Sequence, residues 1–256
     1  MESVEKRPLI SVITPAYNAE RFIEDAINSV LKQTYTHWEM IIVDDCSTDR
    51  TREIIKLYLR KDTRIKLIEL KNNSGPAVAR NVAFEHARGR YLAFLDADDQ
   101  WMPEKLEKQL NFMQERQIAF SFTKYIKIKE NNTETHSVVH IPDYVTYKQL
   151  LKHNVIGCLT VMLDTEMIGE VKMVNMRSRQ DYALWLMICK QGFKAYGLQE
   201  VLSKYRVVKG SVSSNKFKMV KQTWKVYREI EQLNLIKSLW CFMNYLYFAI
   251  KKYSMV

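Results

Sequence analysis

Short apolar runs alternate with amphipathic stretches over the first hundred positions. Leu9-Ile10-Ser11-Val12-Ile13-Thr14 predicts a buried strand that ends in a turn at Pro15. Phe22, Ile23, Ala26, Ile27, Val30 and Leu31 then recur at helical spacing and predict one buried face of a helix over 20–33. Met40-Ile41-Ile42-Val43 is a second strand, closing at Asp44-Asp45. Ser47, Thr48 and Asp49 offer N-caps for a helix to about Arg60. Ile65 to Leu70 reads as a third strand, and a helix follows from about Pro76 to Arg88, with proline at an early helical position. Tyr91 to Leu95 is a fourth strand that stops at Asp96.

Continuous apolar strands separated by helices imply an α/β domain with a mostly parallel sheet. Ligands of such sheets bind beyond the carboxyl ends of the strands. Three polar groups occupy those ends here: Pro15-Ala16-Tyr17-Asn18, Asp44-Asp45, and Asp96-Ala97-Asp98-Asp99. The topology would bring them to one crevice.

The pattern changes after residue 100. A helix over 103–116 precedes a strand over 118–122, and 124–141 reads as a hairpin around Asn131-Asn132. A helix over 179–191 and short strands over 194–199 and 203–208 follow, and from about 215 the chain reads as basic helix. Residues 238–250 are uncharged and aromatic, flanked by Lys237 and Lys251-Lys252. Thirteen residues are too few to span a bilayer as a helix, which takes about 20. They suit a helix lying in the membrane interface. The expected division is a main domain over 1–214, in two halves at 9–110 and 111–214, and a basic helical tail at 215–256.

Composition is that of a globular protein, with 47% hydrophobic and 27% charged residues in a 256-residue chain. Cys46, Cys158, Cys189 and Cys241 stand far apart, so neither a zinc site nor a disulfide framework is suggested and a reducing, cytoplasmic setting fits. The charged segment from Met1 to Pro8 lacks the apolar core of a secretory signal. Net charge is +10, and its location matters more than its size. Residues 203–256 hold eleven Lys/Arg against two Asp/Glu, whereas residues 1–202 are nearly balanced. The tail therefore points to an anionic surface.

Three carboxylates at Asp96, Asp98 and Asp99 repel one another unless a cation compensates them. Hard oxygen ligands select Mg²⁺ or Mn²⁺, which usually joins one or two carboxylates to substrate phosphates. A solvated turn with Asp99 capping the next helix explains the same residues without a metal. Asp44-Asp45 could bond a nucleobase or ribose, or simply end a strand. Tyr17 could stack on a base, and Arg80 could face phosphates or lie on a helix surface. Asp181, near the start of a helix, is either a general base toward an acceptor hydroxyl or a partner of the helix dipole. Trp101 and Trp185 are core residues or sugar platforms.

The order and spacing of several segments carry more. These are Ser11-Val12-Ile13-Thr14-Pro15-Ala16-Tyr17-Asn18, Ser29-Val30-Leu31-Lys32-Gln33-Thr34, and Ile41-Ile42-Val43-Asp44-Asp45-Cys46-Ser47-Thr48-Asp49. Asn73-Ser74-Gly75-Pro76-Ala77-Val78-Ala79-Arg80-Asn81 and the run from Ala87 to Asp99 follow. Together they resemble the family 2 glycosyltransferases, inverting enzymes of the GT-A fold, over about 9–110. A weaker match takes in Gln180-Asp181-Tyr182, Gly192-Phe193 and Tyr205-Arg206. The resemblance implies a nucleotide-sugar site formed by Pro15, Tyr17, Asn18, Asp45, Arg80, Asp96 and Ala97, with Asp45 at the base. Asp96 and Asp98 correspond to the DXD motif, so Asp98, Asp96 and Asp99 are the expected ligands of Mn²⁺ or Mg²⁺. Asp181 corresponds to the catalytic base; many members carry Glu before this Asp, and here Gln180 stands there. A UDP-sugar donor, a glycan or lipid-linked acceptor, inversion by in-line displacement and a role in cell-envelope polysaccharide synthesis are the implied activity. The tail would dock on the anionic inner face of the cell membrane.

Other classes fit less well. A nicotinamide enzyme would carry G-x-G-x-x-G after the first strand and a P-loop enzyme G-x-x-x-x-G-K-[ST]; neither occurs. The +10 charge could serve nucleic acid, but its concentration beside an aromatic apolar segment favours a lipid surface, so no nucleic acid is expected. A nucleotide-sugar-binding module without catalysis would bind UDP and turn nothing over.

Overall fold

The computed structural model describes residues 7–208 and 216–254. Residues 1–6, 209–215 and 255–256 lie outside them, so the start and the end of the expected tail at 215–256 are not described.

The first half follows the apolar pattern closely. Strands β1 (Ile10–Ala16), β2 (Trp38–Asp44), β3 (Ile65–Glu69) and β4 (Tyr91–Phe94) alternate with helices α1 (Ile23–Leu31), α2 (Thr51–Leu59) and α3 (Pro76–His86). These strands pair in parallel in the order β3-β2-β1-β4. β2 and β3 lie on one side of β1 and β4 on the other, so the chain reverses its direction of winding at β1. Such a switch opens a crevice at the carboxyl ends of β1 and β4.

The second half departs from a parallel sheet. It comprises β5 (Gln100–Trp101), α4 (Lys105–Glu115), β6 (Phe120–Ile128), β7 (Glu134–Val139), β8 (Tyr144–Val145), α5 (Tyr147–Lys152), β9 (Met162–Asp164), α6 (Thr165–Ile168), α7 (Gln180–Lys190) and β10 (Ala195–Arg206). β9 runs antiparallel to both β4 and β6 and joins the two halves. β6 and β10 are parallel, and β7 folds back on β6 as the expected hairpin. The strand expected at 118–122 and the first arm of that hairpin are one continuous β6. The two strands expected at 194–199 and 203–208 are likewise one β10, broken in register around Val201 by a bulge.

The strand side chains alternate between two apolar layers. Val12, Met40, Ile42, Ala93 and Leu95 face α1, α2 and α4. Ile13, Ile41, Val43, Leu92 and Phe94 face the layer holding α3 and α7. Trp185 of α7 meets Phe94 edge-on at 5.3 Å between ring centres, and lies 5.2 Å from Phe120. Trp185 and Trp101 are both buried, and the Trp101 indole donates to the Leu159 carbonyl at 2.9 Å, so neither is a sugar platform.

The tail forms α8 (Lys216–Lys225), a π-helical turn Val226–Ile230 and α9 (Leu235–Ser254). Val226, Tyr227, Leu233 and Cys241 belong to the same apolar cluster as α7. Tyr227 donates to the Leu151 carbonyl at 2.6 Å and Tyr147 to Glu231 at 2.5 Å, which fastens the tail to α5. No helix among the described residues is long and apolar enough to cross a membrane.

Candidate active site

The loops after β1 and β2 are sewn together by side chains from each. Asn18, in the left-handed region at φ 47°, donates its amide to the Ser47 hydroxyl at 3.0 Å. Its carboxamide oxygen accepts from the Thr48 amide at 2.8 Å. The Ala19 amide bonds the Thr51 hydroxyl at 2.7 Å, and the Glu20 amide bonds Asp49 at 3.1 Å. Of the residues expected as caps of α2, Ser47 braces the neighbouring loop, and Asp49 does so with one oxygen while the other accepts from the Thr51 amide at the start of α2 at 3.0 Å. Pro15 lies at the end of β1 and Tyr17 beside it is half exposed, with its ring open above the strand ends.

Asp45 is buried at the end of β2. Its two oxygens accept from the Ser74 and Gly75 amides, each at 2.7 Å. Gly75 caps α3 at φ 91°, a left-handed conformation that favours glycine. Asp45 thus fixes the entry to α3, the helix that delivers Arg80.

Arg80 is only 4% exposed, so it is not a surface residue. Its Nη2 pairs with Asp96 Oδ1, while its Nε and Nη1 are buried without partners. Burial works against its charge, but the carboxylates Asp96 and Asp181 outweigh it and raise its pKa. Asp96 and Asp181 also act on the Cys158 thiol, whose pKa is pushed up mainly by burial. Arg80, Asp96, Cys158 and Asp181 therefore lie within electrostatic reach of one another, although Asp96 and Asp181 are 85 positions apart in sequence. Cys158 is one position that the sequence pattern did not mark.

The acidic turn has a second anchor. Arg206, at the end of β10, is fully buried. Its amide donates to Asp99 Oδ1 at 2.8 Å and its Nε to the Asp98 carbonyl at 2.7 Å. Its Nη2 pairs with Asp25 at 2.9 Å, and its Nη1 donates to the Glu130 carbonyl at 3.0 Å. Sequence reading placed Arg206 in a weak match and gave it no role; a clamp of this kind depends on partners distant in the chain.

The three carboxylates differ in what remains open to them. Asp99 is 1% exposed, with Oδ1 on the Arg206 amide and Oδ2 enclosed without a partner. Burial and the adjacent Asp98 and Asp96 hold its carboxyl well above the usual range. Asp98 is partly open; burial and Asp96 push its pKa up to about 6. Asp96 is partly open and already paired with Arg80. Among the described residues no three His, Cys, Asp or Glu side chains gather to hold a metal by themselves. Two carboxylates completed by phosphate oxygens are a donor set that fits Mg²⁺ or Mn²⁺. Ala97 between them is buried, which keeps the turn tight.

Asp181 opens α7. The loop before it reaches the nucleotide half at two points. Asn81 of α3 exchanges hydrogen bonds with the Met173 backbone at 2.8 and 2.9 Å. The Arg177 side chain also lies near Gly75, 3.7 Å from where a Cβ there would project.

A switch-point crevice, a metal-compatible acidic turn and a carboxylate on the facing helix define a nucleotide-dependent transferase with the GT-A fold. Comparison with known proteins makes this specific. The family model for glycosyl transferase family 2 matches residues 11–205. A putative teichuronic acid biosynthesis glycosyltransferase, TuaG, of Bacillus subtilis is 55% identical over 246 residues, spanning 96% of this chain and 98% of its own. The Escherichia coli enzyme WfgD, a UDP-Glc:alpha-D-GlcNAc-diphosphoundecaprenol beta-1,3-glucosyltransferase, is 40% identical over 96% of this chain and 95% of its own. Staphylococcus aureus TarS (residues 1–349, in complex with UDP-GlcNAc) shares the fold with a TM-score of 0.69 at 22% identity, over 89% of this chain and 69% of that one. The chain belongs to glycosyl transferase family 2.

Proposed function

We propose that this glycosyltransferase moves a sugar from a UDP-sugar to a hydroxyl of a lipid-linked, diphosphate-bearing acceptor, with inversion, in the synthesis of a cell-envelope polysaccharide. The observation that carries the chemistry is the buried Arg80, paired with Asp96 and left with two unpartnered guanidinium nitrogens, within electrostatic reach of Asp181. The relatives named above support the donor, the acceptor class and the pathway.

Each residue then has a task. The base and ribose lie over the β1 and β2 ends, against Pro15, Tyr17, Asn18 and the loop that Asp45 holds. Arg80 offers its unpaired Nε and Nη1 to the diphosphate. Asp98 and Asp96 hold a divalent cation, Mn²⁺ or Mg²⁺, which supplies neutralisation of the leaving diphosphate. We assign Asp99, whose oxygens are enclosed, to holding the turn with Arg206 rather than to the ion. Asp181 takes the proton of the acceptor hydroxyl as that oxygen attacks the anomeric carbon. No covalent sugar–enzyme intermediate forms, so no second carboxylate nucleophile is needed.

The tail supports work at a membrane surface on the cytoplasmic side. Leu235, Ile236, Leu239, Trp240, Met243 and Tyr247 form an exposed apolar stripe along α9, with Ile236 82% exposed. The positive charge of the tail suits anionic lipid. Deleting the tail would be a poor test, because Val226 and Tyr227 are core residues. Trp240→Glu should abolish flotation with anionic liposomes and leave UDP binding intact; flotation equal to wild type would refute membrane contact through α9.

The transfer step is tested with Asp181→Asn. The variant should bind UDP with Mn²⁺ as wild type does and lose sugar transfer by about 10²-fold or more, the range of a lost general base. Full transfer activity in the variant would remove Asp181 from the mechanism.

A further inference from the structure

The loop that leads into α7 contains an unusual concentration of unmet hydrogen-bonding capacity. Ser178 Oγ, Arg179 Nε and Gln180 Oε1 are each buried without a partner, on three successive residues. Ser178 is 5% exposed and Gln180 7% exposed. Buried polar atoms nearly always find partners, so three in a row mark a place where something else binds. Arg179 also has the left-handed backbone, φ 67°, and α7 begins directly after it without a side-chain cap. The amino end of this eleven-residue helix adds its own positive field.

Arg179 is held in place from the tail. Its Nη2 bonds the Tyr245 hydroxyl of α9 at 3.1 Å, and its guanidinium lies 5.5 Å from the Tyr245 ring centre and 6.0 Å from that of Tyr182. Among the described residues it pairs with no carboxylate, although it stands two positions before Asp181. A half-buried arginine with an enclosed, unpartnered Nε, braced by aromatic rings and lacking a counter-ion, suits an anionic ligand, phosphate above all.

Two diphosphate groups enter the proposed reaction, one on the donor and one on the acceptor. Arg80, paired with Asp96, answers the donor. Arg179 caps the start of the helix that carries Asp181, and we assign it to the acceptor. Tyr245 projects from α9 on the face opposite the exposed stripe of Ile236 and Met243. A bilayer touching that stripe would lie roughly one helix diameter, about 10 Å, from Arg179. The diphosphate of a lipid-linked sugar sits at that level of the membrane.

We propose that Arg179, oriented by Tyr245 and assisted by Ser178 and the amino end of α7, binds the diphosphate of the lipid-linked acceptor. This rests on the acceptor class proposed above. The same helix would thereby dock on the membrane with one face and hold the acceptor's anchor with the other.

The test uses the full chain in the presence of Mn²⁺ and two probes, UDP and farnesyl diphosphate, the latter titrated with UDP saturating. Arg179→Gln should weaken farnesyl diphosphate at least 10-fold, Arg179→Lys by less, and Tyr245→Phe about 3-fold, the size expected for losing one neutral hydrogen bond. UDP affinity should stay within about twofold in all three, since Arg179 faces the acceptor. Equal farnesyl diphosphate binding by wild type and Arg179→Gln overturns the proposal, as does absence of binding by wild type. Parallel loss of UDP in Arg179→Gln moves the residue to the donor and overturns it too. If Arg179→Gln does not fold, Tyr245→Phe, which keeps the ring, decides by the same comparison. UDP bound without farnesyl diphosphate leaves the glycosyl-transfer reading standing; failure of wild type to bind UDP removes that reading as well.

Discussion

Two acidic strand ends, Asp44-Asp45 after β2 and Asp96 to Asp99 after β4, look alike in sequence and differ in state. At the first, both oxygens of Asp45 are taken by backbone amides, and Asp44 accepts from the Ser47 amide at 3.0 Å. At the second, burial and the crowding of the carboxylates push Asp98 and Asp99 toward protonation. Two buried arginines anchor the turn, Arg80 at the Asp96 side chain and Arg206 at the Asp98 carbonyl and Asp99 side chain. At the first site the carboxylate oxygens are held by the fold's own amides, save Asp44 Oδ1, which is buried without a partner. The second retains unpaired donors on Arg80 and excess negative charge on Asp98, the condition expected where a nucleotide and a cation arrive together.

Substitutions sharpen this contrast. Asp96→Ala should be the most damaging to stability, because it strands the buried Arg80 guanidinium. Breaking such a pair costs about 3 kcal/mol, a fall of roughly 6–12 °C in Tm for a chain of this length. Adding Arg80→Met should recover part of the loss; an unchanged Tm for Asp96→Ala would show that the pair carries little. Asp45→Asn should cost about 1–2 kcal/mol through one lost acceptor and still respond to UDP. If it instead kept its Tm and lost UDP binding, Asp45 would be a base contact first and a loop anchor second.

The smallest effect is a pH dependence. Asp98 binds its proton more tightly folded than unfolded, since its pKa is pushed up to about 6. Its contribution to stability is therefore present below the ordinary carboxylate pKa and is lost as pH rises to about 6. In the absence of metal, the Tm difference between Asp98→Asn and wild type should grow in favour of the variant over that interval. A difference that stays flat with pH would contradict the strained state assigned to Asp98.

The contrast also shows what a sequence makes legible. Strands β1 to β4 and helices α1 to α4 were readable because each is a local pattern of apolar period. The pairing of Asp96 with Arg80 was half readable: both stood at plausible positions, but the buried state of Arg80 follows from the packing of α3 on β1 and β2. Cys158 gave no signal and Arg206 only a weak match, because their roles come from contacts with residues about 20 to 180 positions away. The short strands β5, β8 and β9 were missed since two or three residues show no period, and β9 is what turns the second half away from a parallel sheet. The tail showed its apolar segment plainly, whereas the division of α9 into a face against α5 and a face open to solvent needed the fold.

The central claim is that the turn at Asp96 to Asp99 holds a nucleotide diphosphate through a divalent cation. Thermal unfolding of wild type and Asp98→Asn, with UDP and Mn²⁺ together and each alone, tests it most directly. Ligand at 100 times its dissociation constant stabilises by about 2.7 kcal/mol, or roughly 5–10 °C for a chain of this length. The account predicts that shift in wild type only when both are present, and its loss in Asp98→Asn. No shift in wild type, or an equal shift in the variant, would contradict it.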